Sequence, residues 1–268
     1  METTYFGFIA TILYLFGGLL SFTATLRNAS QKKHWRLALI LPILLAFGLH
    51  GIGLFFIVIT PDGLVSNFFN SLSIAAWFTI ALTLALSIKQ PIHSLGIILF
   101  PATAICIALS LLFPAAGSAL STQYNVHLHI LFSVIAYALL FVAALQAILL
   151  AYQDYSLHEH KLNHFVRGLP PLASMESLLF HMINVGFIFL TLSLISGFVY
   201  LDDMFAQHLV HKTVLSIFAW IIFAILLVGR KIYGWRGRSA VKWTVGGFSL
   251  LLLAYFGSKM VLELILKR

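Results

Sequence analysis

The chain has 268 residues, of which 61% are hydrophobic and only 9% charged, and its mean hydropathy is +1.01; this excludes a soluble globular domain, which would expose more apolar surface than water tolerates. At roughly 20 residues per membrane span, the length holds about eight spans with short connections and no separate globular domain, so a single integral membrane domain over residues 1–268 is expected. The formal charge of +8 does not call for nucleic acid, because basic residues of membrane proteins collect in loops on the cytoplasmic side.

In chain order, the apolar runs predict membrane helices over Tyr5–Thr25, Leu37–Ile59, Ser71–Ile88, Leu95–Phe113, His127–Ala151, Leu178–Tyr200, Thr213–Gly229 and Trp243–Leu264. Each is apolar all round, and the turn residues of Pro61–Gly63, Gln90–Pro91, Pro114–Gly117 and Pro170–Pro171 fall where the chain should reverse. An all-α, polytopic bundle of about eight up-and-down transmembrane helices follows. No basic region precedes the first apolar run, which is long enough to span, so it reads as a retained first helix. The single cysteine, Cys106, rules out an internal disulfide, a cysteine-held iron–sulfur cluster and a CxxCH haem attachment site.

The basic residues give the orientation. The odd-numbered loops hold Arg27, Lys32, Lys33, Arg36, Lys89, Lys161, Arg167, Arg230, Lys231, Arg236, Arg238 and Lys242, twelve of the 16 Lys and Arg residues. The even-numbered loops hold only Lys212. This bias assigns the odd loops to the cytoplasm and both termini to the outside.

Six of the eleven histidines then lie inside spans or at their ends, where a neutral imidazole can ligate haem iron or a metal. His127 and His129 open the fifth span, and His208 and His211 immediately precede the seventh, so both pairs share one depth near the outer face. Positions 208 and 211 share a helix face, whereas 127 and 129 diverge by about 200°, so only one of that pair can point at a given ligand. The same four side chains also suit hydrogen bonds to lipid headgroups and water. His50 lies deep in the second span among Gly48, Gly51 and Gly53, which would admit a neighbouring helix or a flat ligand close to the backbone; a ligand role there competes with an interhelical hydrogen bond. His181, near the cytoplasmic start of the sixth span, could pair with it only if the two helices pack at matching depths.

The remaining polar groups have ordinary explanations. His158, His160 and His164 beside Asp154 and Glu159 have the composition of a loose metal site, but their spacing suits a solvated connector with Leu157, Leu162 and Phe165 resting on the bilayer. Lys259 and Glu263 read as a helix ion pair, and Asp202 with Asp203 as a solvated turn. There is no Walker loop, no GxSxG elbow, no HExxH and no charge ladder, so the chain is not expected to be an enzyme, and no inverted repeat with broken helices points to a secondary transporter.

Several motifs in the second half carry a resemblance. The run LPPLASMESLLFHMINVGFIFLTLSLISG from Leu169 to Gly197, the pair Ala219–Trp220, the GWRGR of Gly234–Arg238 and the AYFGSK of Ala254–Lys259 resemble the CcsA-type cytochrome c assembly proteins. The resemblance covers about residues 125 to 262 and is to the shorter YpjD- and HemX-like branch, which lacks the family's tryptophan-rich haem motif; at that place this chain reads LDDMFAQHLVHK from Leu201 to Lys212. The resemblance implies haem handling in the membrane, with an outer-face histidine eight residues before a tyrosine, which His129 and Tyr137 match. Helical geometry and this resemblance together select His129 and His211 as a bis-imidazole site, with His50, His208 and His127 as further candidates.

The expected function is therefore that of a haem-handling, cytochrome c assembly-like protein of a bacterial inner membrane, binding b-type haem non-covalently as a carrier, sensor or assembly factor. The alternative is a non-haem accessory membrane protein affecting divalent-cation handling or the stability of a partner; a third reading is regulation of haem biosynthesis through the basic loops. The lipid bilayer is the one partner the sequence requires, alongside a haem-pathway or membrane-protein partner on the first reading. No nucleic acid is expected.

Overall fold

The structure is a computed structural model that describes residues 2–27, 33–60, 63–87, 93–113, 118–119, 124–160, 163–200 and 210–257. The elements run α1 (Glu2–Leu26), α2 (Lys33–Val58), β1 (Ile59–Thr60), β2 (Gly63–Ser66), α3 (Phe68–Ser87), α4 (His93–Leu112), β3 (Ser118–Ala119), α5 (Tyr124–His158), α6 (His164–Arg167), α7 (Leu172–Tyr200), α8 (Val210–Tyr233) and α9 (Gly237–Leu252), the last continuing into a π turn over Leu253–Gly257. Among the described residues, eight helices are long and apolar enough to cross a membrane. Helix is the form that hydrocarbon permits, because each peptide N–H and C=O must find its partner within the segment. Pro42 and Pro101 sit inside α2 and α4, a substitution pattern that neighbouring helices tolerate in lipid.

Three helix ends depart from the sequence expectation. Helix α5 runs past Ala151 to His158, because Gln153 and Ser156 are buried and packing, not apolarity, sets the end. Helix α7 starts at Leu172 rather than Leu178, straight after Pro171, whose carbonyl accepts from the Ser174 and Met175 amides at 2.9 and 3.1 Å; a proline opens a helix without forfeiting an intrahelical bond. Helix α9 starts at Gly237 rather than Trp243; Gly234 (φ 66°) before it and Gly237 (φ 51°) at its first position have left-handed backbone, a conformation glycine adopts without a Cβ clash.

The chain divides into two compact units: Met1–Leu120 with Ser156–Pro170, and Ser121–Tyr155 with Pro171–Arg268. In the first, α1 packs against α2 and α4, and α3 against α4 and α2. Small residues make the closest approaches. A Cβ on Gly17 would collide with Ile43, and one on Gly18 would lie 2.8 Å from Pro101 Cγ, so the two glycines let α2 and α4 close on α1 by van der Waals packing, the force left to helices in lipid. The outer face of α1 exposes Ile9, Ile12, Phe16 and Leu19, as a lipid-facing surface should. The three short strands pair antiparallel in the order β1-β2-β3, and the buried Asn67 side chain caps α3 by accepting from the Asn70 amide at 2.7 Å.

In the second unit, α7 and α9 both pack against α8. Trp220 of α8 stacks on Phe187 of α7 and donates its indole N–H to Thr191 Oγ1 at 2.9 Å. On the α5 side, Leu140 presses into Gly186 of α7, and Gln146 donates to the Met175 carbonyl at 3.3 Å. Tyr137 of α5 donates to the Leu251 carbonyl at 3.0 Å, at the join where α9 changes to π register. A carbonyl oxygen has two lone pairs, so the phenol can bond there beside an intrahelical donor and tie α5 to α9.

A histidine and serine cluster as the candidate functional site

The site grows from one turn of α5 facing one turn of α7. Serine is poorly suited to helix interiors in water but serves in lipid as an interhelical hydrogen-bonding group, and Ser133, Ser193 and Ser196 all take part. His129 Nδ1 lies 2.9 Å from the Ser193 carbonyl and 3.1 Å from Ser196 Oγ. A carbonyl can only accept, so the network assigns the proton to Nδ1. The rest of the cluster agrees: Ser196 Oγ donates to the Ser193 carbonyl at 2.9 Å, and Ser133 Oγ donates to the His129 carbonyl at 2.7 Å. Ser193 Oγ, 2.7 Å from Ser133 Oγ, must then be the donor in that pair, since a hydroxyl has one proton.

The chemical result is a neutral, half-buried imidazole held by Nδ1–H, with the Nε2 lone pair left available. Metal-ligating histidines have this arrangement, in which a carbonyl fixes the tautomer and ring orientation from behind. The donor set of His129 therefore fits an iron-bearing cofactor.

His50 is held the other way round. Its Nε2 lies 2.9 Å from Ser73 Oγ, only 2% of the residue is exposed, and its Nδ1 has no hydrogen-bond partner. Tyr14 meets the ring edge-on with centroids 5.9 Å apart and itself stacks on Phe100. Of the neighbouring glycines, Gly51 receives the Trp77 indole, and Gly53 faces the Gly7 backbone at 3.9 Å; the protein's own helices use that approach. Trp77 is anchored by donating to the Phe47 carbonyl at 3.0 Å. These contacts make the interhelical hydrogen bond with Ser73 the role visible for His50.

The other sequence candidates are placed in part. His127 and His211 lie in the first turns of α5 and α8, but their side chains, and the whole of His208, lie outside the described residues, as do Asp202, Asp203, Lys259 and Glu263. Of the proposed bis-imidazole pair, the structure thus describes the His129 ring and only the helical backbone of His211. His181 is exposed on α7 and belongs to the second unit, whereas His50 belongs to the first. His158, His160 and His164 are all exposed, and no three metal-ligating side chains converge among the described residues.

Sequence reasoning passed over a charged cluster at the far end of α7 and α8. Arg230 donates to Glu176 at 2.7 Å and to the Trp235 carbonyl at 3.1 Å, and its guanidinium lies over the Phe180 ring at 4.5 Å. Arg236 approaches the same carboxylate at 3.7 Å. The available signal was a single glutamate in the otherwise apolar start of α7, which needs a cationic partner at that depth.

A family model described as Cytochrome C assembly protein matches residues 65–266. Inner membrane protein YpjD of Escherichia coli (strain K12) is 35% identical over 239 residues, covering 86% of this chain and 89% of the relative. Cytochrome c biogenesis protein CcsA of Chlamydomonas reinhardtii is 27% identical over 143 residues, covering 51% of this chain and 38% of the relative. The CcsA of Prochlorococcus marinus (strain NATL1A) is 24% identical over 116 residues, 41% of this chain and 37% of the relative. No solved structure matches the chain.

Proposed function

Since the chain belongs to the cytochrome c assembly protein family, we propose that it binds b-type haem non-covalently and acts as a carrier, sensor or assembly factor, not as an enzyme. It is a multi-pass protein of the inner membrane. The observation that supports the reading is the His129 cluster: with Nδ1–H bound to the Ser193 carbonyl, Nε2 is the nitrogen that would hold the haem iron, in an orientation fixed from behind. His211, at the start of α8, would hold the iron with it, with His127 and His208 as alternatives. His50 is the intramembrane alternative, and using it requires breaking its bond to Ser73. With the basic loops in the cytoplasm, the His129 end of α5 faces outward. Bound haem would contribute a redox-active iron, and the chain's own part is to orient the imidazole and exclude water from it.

Absorbance of the detergent-purified protein tests the proposal. A Soret band that is lost in His129→Ala or His211→Ala supports the site. A protein that is colourless and stays colourless after hemin is added overturns it.

A further inference from the structure

At the end of the second unit opposite His129, a cavity of about 370 Å³ opens along α7, lined by Glu176, Ser177, Phe180, His181, Arg230 and Arg236 among others. We propose that this cavity binds the phosphate of a phospholipid headgroup; the proposal does not rest on the haem reading.

Two guanidinium groups face one carboxylate, and they are not equivalent. Arg230 is committed to Glu176, the Trp235 carbonyl and the Phe180 face. Arg236 is 72% exposed and stands 3.7 Å from a carboxylate oxygen already bonded at 2.7 Å. Its planar fork of donors is therefore largely unspent, and that geometry suits bidentate binding of phosphate. Ser177 and His181, both exposed on α7, add hydrogen-bonding groups deeper along the same wall.

Successive lining residues from Glu176 to Asn184 descend about 12 Å along α7 at the helical rise, from the charged end into the apolar span. Such a slot meets the two halves of a phospholipid in order, the phosphate beside Arg236 and the ester region beside His181 and Asn184. The surroundings are those of an interface: Ile232 and Tyr233 are strongly exposed, Trp235 stacks on Trp243, and Lys231, Arg238 and Lys242 stand exposed close by in sequence. Aromatic rings at headgroup level and basic pockets between membrane helices are how proteins hold anionic lipids. Arg236 sits at the N-cap position of α9, and the preceding Trp235 packs over Gly229, where any Cβ would lie 2.5 Å from the indole.

Native mass spectrometry of the full chain, released from detergent with phosphatidylglycerol, phosphatidylcholine or inorganic phosphate added, is the test. The wild type should retain phosphatidylglycerol at least fivefold more than phosphatidylcholine. Arg236→Ala should lose most of that preference, while Arg238→Ala, whose side chain does not line the cavity, should keep it. Trp emission confirms that each variant is folded. Equal retention by the wild type and Arg236→Ala overturns the site. Displacement of the lipid by millimolar inorganic phosphate overturns the lipid assignment and makes the ligand a soluble phosphate.

Discussion

The charged cluster offers a quantity that can be worked out before it is measured. At the effective dielectric of about 20 that suits sites near a protein surface, a pair like Arg230 and Glu176 attracts with about 4 to 6 kcal/mol before desolvation. The side chains retain 29% and 18% of their exposure, so solvent screening and the cost of ordering two long side chains remove much of that. The loss on deleting Glu176 is further limited by the Trp235 carbonyl and the Phe180 face, which stay with Arg230. A coupling of about 1 to 2 kcal/mol is the expected remainder, above an exposed pair and below a fully buried one. A double-mutant cycle of Glu176→Ala and Arg230→Met, read by denaturant unfolding in detergent through Trp emission, measures it. Glu176→Gln should lose less than Glu176→Ala, because an acceptor remains. A coupling below about 0.3 kcal/mol, the usual additivity error, would show that the pair is an accident of the surface.

Three further outcomes follow from particular contacts. Ser196→Ala should change hemin affinity by less than about fivefold, since the Ser193 carbonyl still accepts from His129 Nδ1 and a single shared hydrogen bond is worth about 1 kcal/mol or less; an optical titration reads this, and abolition of binding would mean that Ser196, not the carbonyl, orients the ring. Tyr137→Phe should cost about 1 kcal/mol in the same unfolding assay, because the hydrogen bond that ties α5 to the Leu251 carbonyl is lost; no change would mean that the bond adds nothing net to the packing of α5 on α9. Gly17→Val should be the most damaging, at about 1 to 3 kcal/mol or more from overpacking against Ile43, seen as a lower yield of folded protein in detergent; normal stability would mean that α1 and α2 can separate without loss.

The eight spans were legible because lipid imposes one rule on every segment, and a long apolar run has only one way to obey it. Helix ends were less so. Hydropathy stops α5 at Ala151, but Gln153 and Ser156 are buried, and burial of a polar side chain is a property of neighbours that no window along the chain contains. The Glu176 cluster escaped for a related reason. Arg230 and Arg236 carry a topological meaning in sequence as loop cations, and that explanation was sufficient until their shared carboxylate, 54 positions away from Arg230, came into contact. The short strands went unanticipated as well, since runs as brief as Ile59–Thr60 carry no periodicity to detect.

The histidines show the limit most sharply, because the sequence ranks His129 ahead of His50 without showing what separates them, and their hydrogen bonds do. Both are imidazoles in apolar helices, each within reach of a serine on a neighbouring helix. His129 spends Nδ1 on a backbone carbonyl, which cannot donate and so forces the tautomer, and this turns the outer nitrogen of the ring into a lone pair. His50 spends Nε2 on a serine hydroxyl, which can donate or accept, so its tautomer is left open and its remaining nitrogen lies on the backbone side of the ring, buried and unpartnered. A carbonyl in place of a hydroxyl is thus enough to fix one ring's tautomer and leave the other's open. Hemin binding should be lost in His129→Ala whether or not Ser73→Ala frees His50 Nε2; binding that persists in His129→Ala with Ser73 intact would overturn the assignment of a ligating nitrogen to His129.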